Sequence, residues 1–182
     1  MGIVGLQHAS ITVSNLERSI EFYSDILGMD YLGKQVMPAK QVYDIFGLQG
    51  VGVRYAWLRA GRSGVIELFE FDPPDETPAE IQPARIGHLY FALQVRHLDS
   101  MYRELMKQGV KGMVEPMHLQ VGTRIAFIKD PDGLIVELID LGLYITPKIK
   151  IFGGLLGWID RLKRKRSRAA IPTGACSSSN DE

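Results

Sequence analysis

The chain contains a single cysteine, Cys176, and no apolar run approaching the length of a membrane span. One thiol cannot build a disulfide framework, so a reducing compartment is expected. A spanning helix needs about 18 or more consecutive apolar residues. The first residues lack a basic region followed by an apolar core, which argues against a secretory signal. Met1-Gly2 is followed by Leu6 where a myristoylation signal wants Ser or Thr. These absences make a cytoplasmic protein the expectation. At 182 residues the chain fits one domain, or two small modules sharing a core. A chain of this size buries roughly 70% of its unfolded surface and needs no disulfide.

Net charge is also missing, but the zero hides an uneven distribution. Residues 1–147 carry thirteen basic and eighteen acidic side chains, whereas 148–168 carry eight basic ones and only Asp160. The C-terminal segment is therefore read separately.

What is present is a pattern that occurs twice. Leu6 to Val13 alternates, with Ala9, Ile11 and Val13 on one face and His8, Ser10 and Thr12 on the other, as a half-buried strand does. Asn15 is a good helix N-cap, Leu16, Ile20, Tyr23 and Leu27 follow at helical spacing, and Gly28 stands where a helix ends. Strands are expected near 29–37, 52–60 and 64–71, the last two joined by the Ala60–Gly64 turn. Pro38 to Gly50 reads as a loop, with Phe46 and Leu48 either reaching substrate or packing in the core.

After a linker rich in Pro, Asp and Glu the order returns. His88 opens a strand through Val95, Asp99 to Gln108 is helical, and Gly109 is its stop. Strands are expected near 112–117, 121–128 and 134–140, with Asp130-Pro131-Asp132-Gly133 as a turn. His8 precedes Gly28 by twenty residues and His88 precedes Gly109 by twenty-one; Trp57 precedes Glu67 by ten, as Phe127 precedes Glu137. On this count the halves match in register as well as order, the mark of an internal repeat.

Taken alone, a strand histidine is more often a satisfied polar residue than a ligand. Glu67 and Glu137 differ, because each interrupts an apolar run (Val65 to Phe69, Leu134 to Ile139). A buried carboxylate without a partner costs several kcal/mol or more and wants a metal, an arginine or a proton. If a pseudo-twofold axis relates the halves, His8, Glu67, His88 and Glu137 converge. Two imidazoles and two carboxylates suit a divalent Ni, Zn, Co, Fe or Mn ion.

The element order resembles the glyoxalase / bleomycin-resistance / extradiol-dioxygenase family, the vicinal-oxygen-chelate superfamily, over residues 3 to 141. So do Asn15 to Tyr23 running into Ile26-Leu27-Gly28-Met29, and Asp130 to Gly133 ahead of Glu137-Leu138. The resemblance implies an α+β fold of two βαβββ modules forming a cupped mixed sheet (3–71 and 86–141, with a linker at 72–85). It also implies metal ligands at His8, Glu67, His88 and Glu137.

Within the family the chain is similar to glyoxalase- and epimerase-like members, which implies a metal-dependent lyase or isomerase. Its chemistry would be proton transfer next to a carbonyl through a metal-stabilised enediolate, with Glu137 as base and Glu67 as second carboxylate. Two departures weigh against lactoylglutathione lyase itself. Thr12 stands where that enzyme has an arginine, and Phe71 where it has an asparagine, so its glutathione anchors are missing unless Arg18 or Arg54 substitutes.

Extradiol ring cleavage is the alternative; there Tyr90 and His118 would be acid–base partners, against the plainer readings of a packed tyrosine and a loop histidine. A metal-free small-molecule binding protein is the third reading. A small-molecule substrate and a homodimer are the expected partners.

Residues 145–166 read as a basic amphipathic helix, with Ile149, Phe152, Leu156 and Ile159 at helical spacing, Trp158 beside them and a run of basic residues through Arg166. Packing on the domain or on a dimer partner is the first expectation. An anionic membrane surface contacted through 148–166 is the second, which would make the protein peripheral. No nucleic-acid motif accompanies the charge. Residues 167–182 read as a disordered tail.

Overall fold

The computed structural model describes Gly2 and residues 5–62, 64–74, 83–84, 86–120 and 122–142. Most of the linker, the basic helix expected at 145–166 and the expected tail lie outside the described residues. Residues 1–140 form one unit and 141–182 a second.

The first unit runs β1 (Ala9–Thr12), α1 (Leu16–Glu21) continuing as a π-helical turn (Phe22–Ile26), β2 (Asp30–Met37), α2 (Ala39–Phe46), β3 (Gly52–Arg59) and β4 (Val65–Asp72). It then repeats as β5 (Phe91–Gln94), α3 (Leu98–Lys107), β6 (Lys111–Gln120), β7 (Thr123–Lys129) and β8 (Ile135–Asp140). The strands form two four-stranded sheets of order β1-β4-β3-β2 and β5-β8-β7-β6. In each, the first strand pairs parallel with the last and the remaining pairs are antiparallel. This is the expected pair of mixed-sheet βαβββ modules.

Local chemistry explains the elements. The Asn15 side chain accepts from the Arg18 amide at 2.9 Å, capping α1. Gly28 and Gly109 close the two helical segments at φ 74° and 82°, values that L side chains rarely adopt. Leu16 and Leu98 open the two helices fully buried and pack with Ile11, Leu68, Ala126 and Leu138 in one core drawn from both modules. Each such leucine contributes about 1.5–3 kcal/mol relative to exposure.

The modules are also joined by polar contacts. The Tyr23 hydroxyl donates to Asp130 Oδ2 at 2.9 Å in the interior. Ser14 and Arg18 reach Asp132 in the same turn.

The segment read as a loop at Pro38 to Gly50 contains α2 instead. Its Val42 is buried against Val53 and Phe69, and Phe46 lies edge-on to Phe69 and Phe71 with ring centroids 5.8 and 5.5 Å apart. Helix α2 thus replaces the expected loop, with Val42 packed beneath it and Phe46 and Leu48 still partly exposed.

Candidate active site

Strand alternation puts Ile66 and Leu68 on the face of the first sheet that packs against α1, and Glu67, Phe69 and Phe71 on the opposite face, where α2 covers Phe69. Cross-strand register brings Trp57 and Ser10 beside Glu67. His8, two residues before Ser10, points its Nε2 at Glu67 Oε2, 3.3 Å away. Its other ring nitrogen contacts Gln7 Oε1, and its ring sits edge-on to Trp57, centroids 5.1 Å apart. One ring nitrogen thus faces Gln7 and the other the Glu67 carboxylate; a metal-ligating histidine is oriented by a second partner of this kind.

Glu67 is 6% exposed and accepts from the Ser10 hydroxyl at 3.2 Å. The imidazole facing it is that of His8. A buried carboxylate with one imidazole and one hydroxyl, and an imidazole nitrogen turned toward it, fits half of a divalent-metal site. Beside it runs an aromatic shelf: Tyr55 stacks on Phe69 at 5.6 Å, and Phe69 on Phe71 at 6.1 Å. Phe71, expected where a polar anchor would stand, belongs to this shelf, and Thr12 is the register partner of Phe69.

Glu137 occupies the matching place in the second sheet, opposite Phe127 and Ala92, and is half-buried. His88 does not match His8. β5 begins at Phe91, and His88 lies four residues before Ala92, whereas His8 lies two before Ser10. The halves therefore share order but not register in their first strands.

The reason lies in the helices. His8 stands eight residues before the helix start at Leu16, but His88 stands ten before Leu98. From helix start to closing glycine the first module, which has the π-helical turn, is one residue longer, so counting to the glycines hides half of this two-residue shift. The signal available in the sequence was the distance to the helix start.

Among the described residues no three His, Cys, Asp or Glu side chains gather in metal-binding positions. The chain brings His8 and Glu67 together and does not bring the four expected ligands into one cluster. Glu70, on the α1 side of the sheet, pairs with Arg54. His97 takes the N-cap position of α3 at φ 56° without a side-chain hydrogen bond there. A cavity of about 580 Å3 follows the open edges of β1 and β5 and touches His8. Neither glutamate lines it, so it is not the space in front of the two carboxylates.

The protein is similar to known ones over this unit. It is 35% identical over 135 residues to a probable lactoylglutathione lyase of Synechocystis sp., covering 74% of this chain and 93% of that protein. It is 27% identical to a 2-epi-5-epi-valiolone epimerase of an Actinomyces species, covering 77% and 81%. A glyoxalase family protein of Bacillus cereus shares the fold with a TM-score of 0.70 at 22% identity, over 77% of this chain and 95% of that one. Residues 5–138 match the Glyoxalase/Bleomycin resistance protein/Dioxygenase superfamily, and the chain belongs to that family.

Proposed function

We propose that the protein is a divalent-metal-dependent lyase or isomerase that moves a proton on a carbon next to a carbonyl. The observation that carries this reading is the His8–Glu67 pair, a half-buried imidazole nitrogen and a buried carboxylate oxygen 3.3 Å apart on the sheet face opposite α1. Relatives named as a lyase and as an epimerase support the reaction class.

When bound, the metal would polarise the substrate oxygens and lower the cost of negative charge beside the carbonyl. His8 and Glu67 would hold it from the first module and Glu137 from the second. The expected fourth donor, His88, sits upstream of the matching register position. Glu67 is engaged with His8 and Ser10, which leaves the more open Glu137 as the group that takes and returns the proton. Of the aromatic shelf, the half-buried Tyr55 and Phe71 would meet the apolar part of the substrate, with Phe69 between them already covered by Val42 and Phe46 of α2. This shelf, with Thr12 beside it, favours a substrate other than a glutathione adduct.

Because one chain does not gather three candidate ligands among its described residues, the second half of each site would come from a second copy. The protein would then act as a homodimer.

The test is turnover of candidate carbonyl substrates in deuterated water by metal-loaded protein. Deuterium should appear at the carbon that exchanges its proton, and Glu137→Gln should lower kcat by roughly 100-fold or more. A protein that binds none of Mn, Co, Ni or Zn would overturn the reading, leaving a metal-free binding protein. Catechol-dependent oxygen uptake by the iron-loaded protein would replace it with ring cleavage.

A further inference from the structure

Tyr90 stands in the second module where His8 stands in the first. Two independent observations place it there. The first is register: Ser10 is opposite Glu67 and Ala92 is opposite Glu137, so two residues upstream of each lie His8 and Tyr90. The same frame holds one step further on, where the Val13 amide donates to Phe69 O and the Val95 amide to Ile139 O, at 2.8 and 2.9 Å. The second is the ring contact. His8 meets Trp57, the cross-strand neighbour of Glu67, at an interplanar angle of 67°. Tyr90 meets Phe127, the cross-strand neighbour of Glu137, with centroids 6.3 Å apart and the same 67° angle. Tyr90 is half-exposed on this face, as a group that meets a ligand must be. His88 lies two residues further upstream, roughly 7 Å along an extended chain.

We propose that Tyr90, and not His88, is the site residue that accompanies Glu137. This rests on the metal-dependent reading for the identity of the ligand, but not for the placement of the tyrosine. The second half-site then offers a carboxylate and a phenol oxygen where the first offers a carboxylate and an imidazole. One nitrogen and three oxygen donors suit a harder ion such as Mn over Zn or Ni, which favour a second imidazole. The tyrosine changes metal preference within a fold that otherwise keeps its glutamates.

The test uses the full chain stripped of metal by chelator and titrated calorimetrically with Mn and, separately, with Zn. Circular dichroism checks that each variant is folded. Tyr90→His should raise Zn affinity by about tenfold or more and shift the Mn-to-Zn preference, because it places an imidazole beside Glu137. His88→Ala should stay within about twofold of the native affinity, while His8→Ala loses at least about tenfold.

The proposal is overturned if His88→Ala costs as much as His8→Ala, or if Tyr90→His leaves Zn affinity unchanged. If the native chain binds neither ion but Tyr90→His binds Zn, the placement of Tyr90 stands and metal dependence of the native protein falls. If neither protein binds, both fall.

Discussion

Tyr23 and Asp130 show how much a single buried contact can decide. The Asp130 carboxylate is 3% exposed and accepts from the Tyr23 hydroxyl and from the amides of Asp132 and Leu134. Burial holds its carboxyl above the usual aspartate range, against those hydrogen bonds, which pull it down. Burial likewise pushes the Tyr23 phenol up, so it stays a donor. Tyr23→Phe should cost about 1–3 kcal/mol in urea unfolding, because the carboxylate keeps its burial and loses a donor. The pH dependence has a definite sign. A carboxyl whose pKa is raised by folding contributes stability that is full below about 3.9, its unfolded value, and lost as pH rises through the folded value. The native chain should therefore lose ground to Asp130→Asn as pH rises above the unfolded carboxyl value of about 3.9. A stability difference that stays flat as pH rises would contradict the assignment.

At the scale of elements, α3 lies close against β6 at Gly112. A methyl group there would overlap the Tyr102 hydroxyl and come within 3.0 Å of Met106 Sδ, both on α3. Gly112→Ala should destabilise by about 1–3 kcal/mol, measured by thermal or denaturant unfolding. Gly52 in β3 is the control, since a methyl group there meets its nearest neighbour at 3.7 Å. Gly52→Ala should be neutral or slightly stabilising. Equal costs at the two positions would remove the steric explanation. Strand and helix positions were legible because alternation and helical spacing are local properties, and the observed elements fall within a few residues of those expected. The exception is α2. Val42, Tyr43 and Phe46 do have helical spacing, but the segment sits between two strands, and Val42 and Phe46 gain their partners from Val53 and the Phe69–Phe71 shelf, which are distant in sequence.

For the whole molecule, the exposed apolar side chains of the outer strands bear on assembly. Leu32 and Val36 on β2, and Met113, Met117 and Leu119 on β6, are all exposed, and β2 and β6 are edge strands. Outward apolar patches on sheet edges mark surfaces that other chains cover. Sedimentation should give the mass of a dimer. Met117→Lys should shift it toward monomer and lower metal content in parallel if each site takes residues from two copies. A monomer with full metal content would show instead that one chain completes the site.

The duplication, the order of its elements and the two glutamates inside apolar strands were determined by the sequence alone. Each follows from local periodicity or from the cost of burying a carboxylate. Tertiary structure decided which side chains accompany those glutamates. Parallel pairing of β1 with β4 and of β5 with β8 joins strands far apart in the chain, and a two-residue shift in either pair leaves every alternation pattern unchanged. That is why His8 meets Glu67 as its spacing implied, while in the second module the matching place belongs to Tyr90 and His88 lies upstream of it.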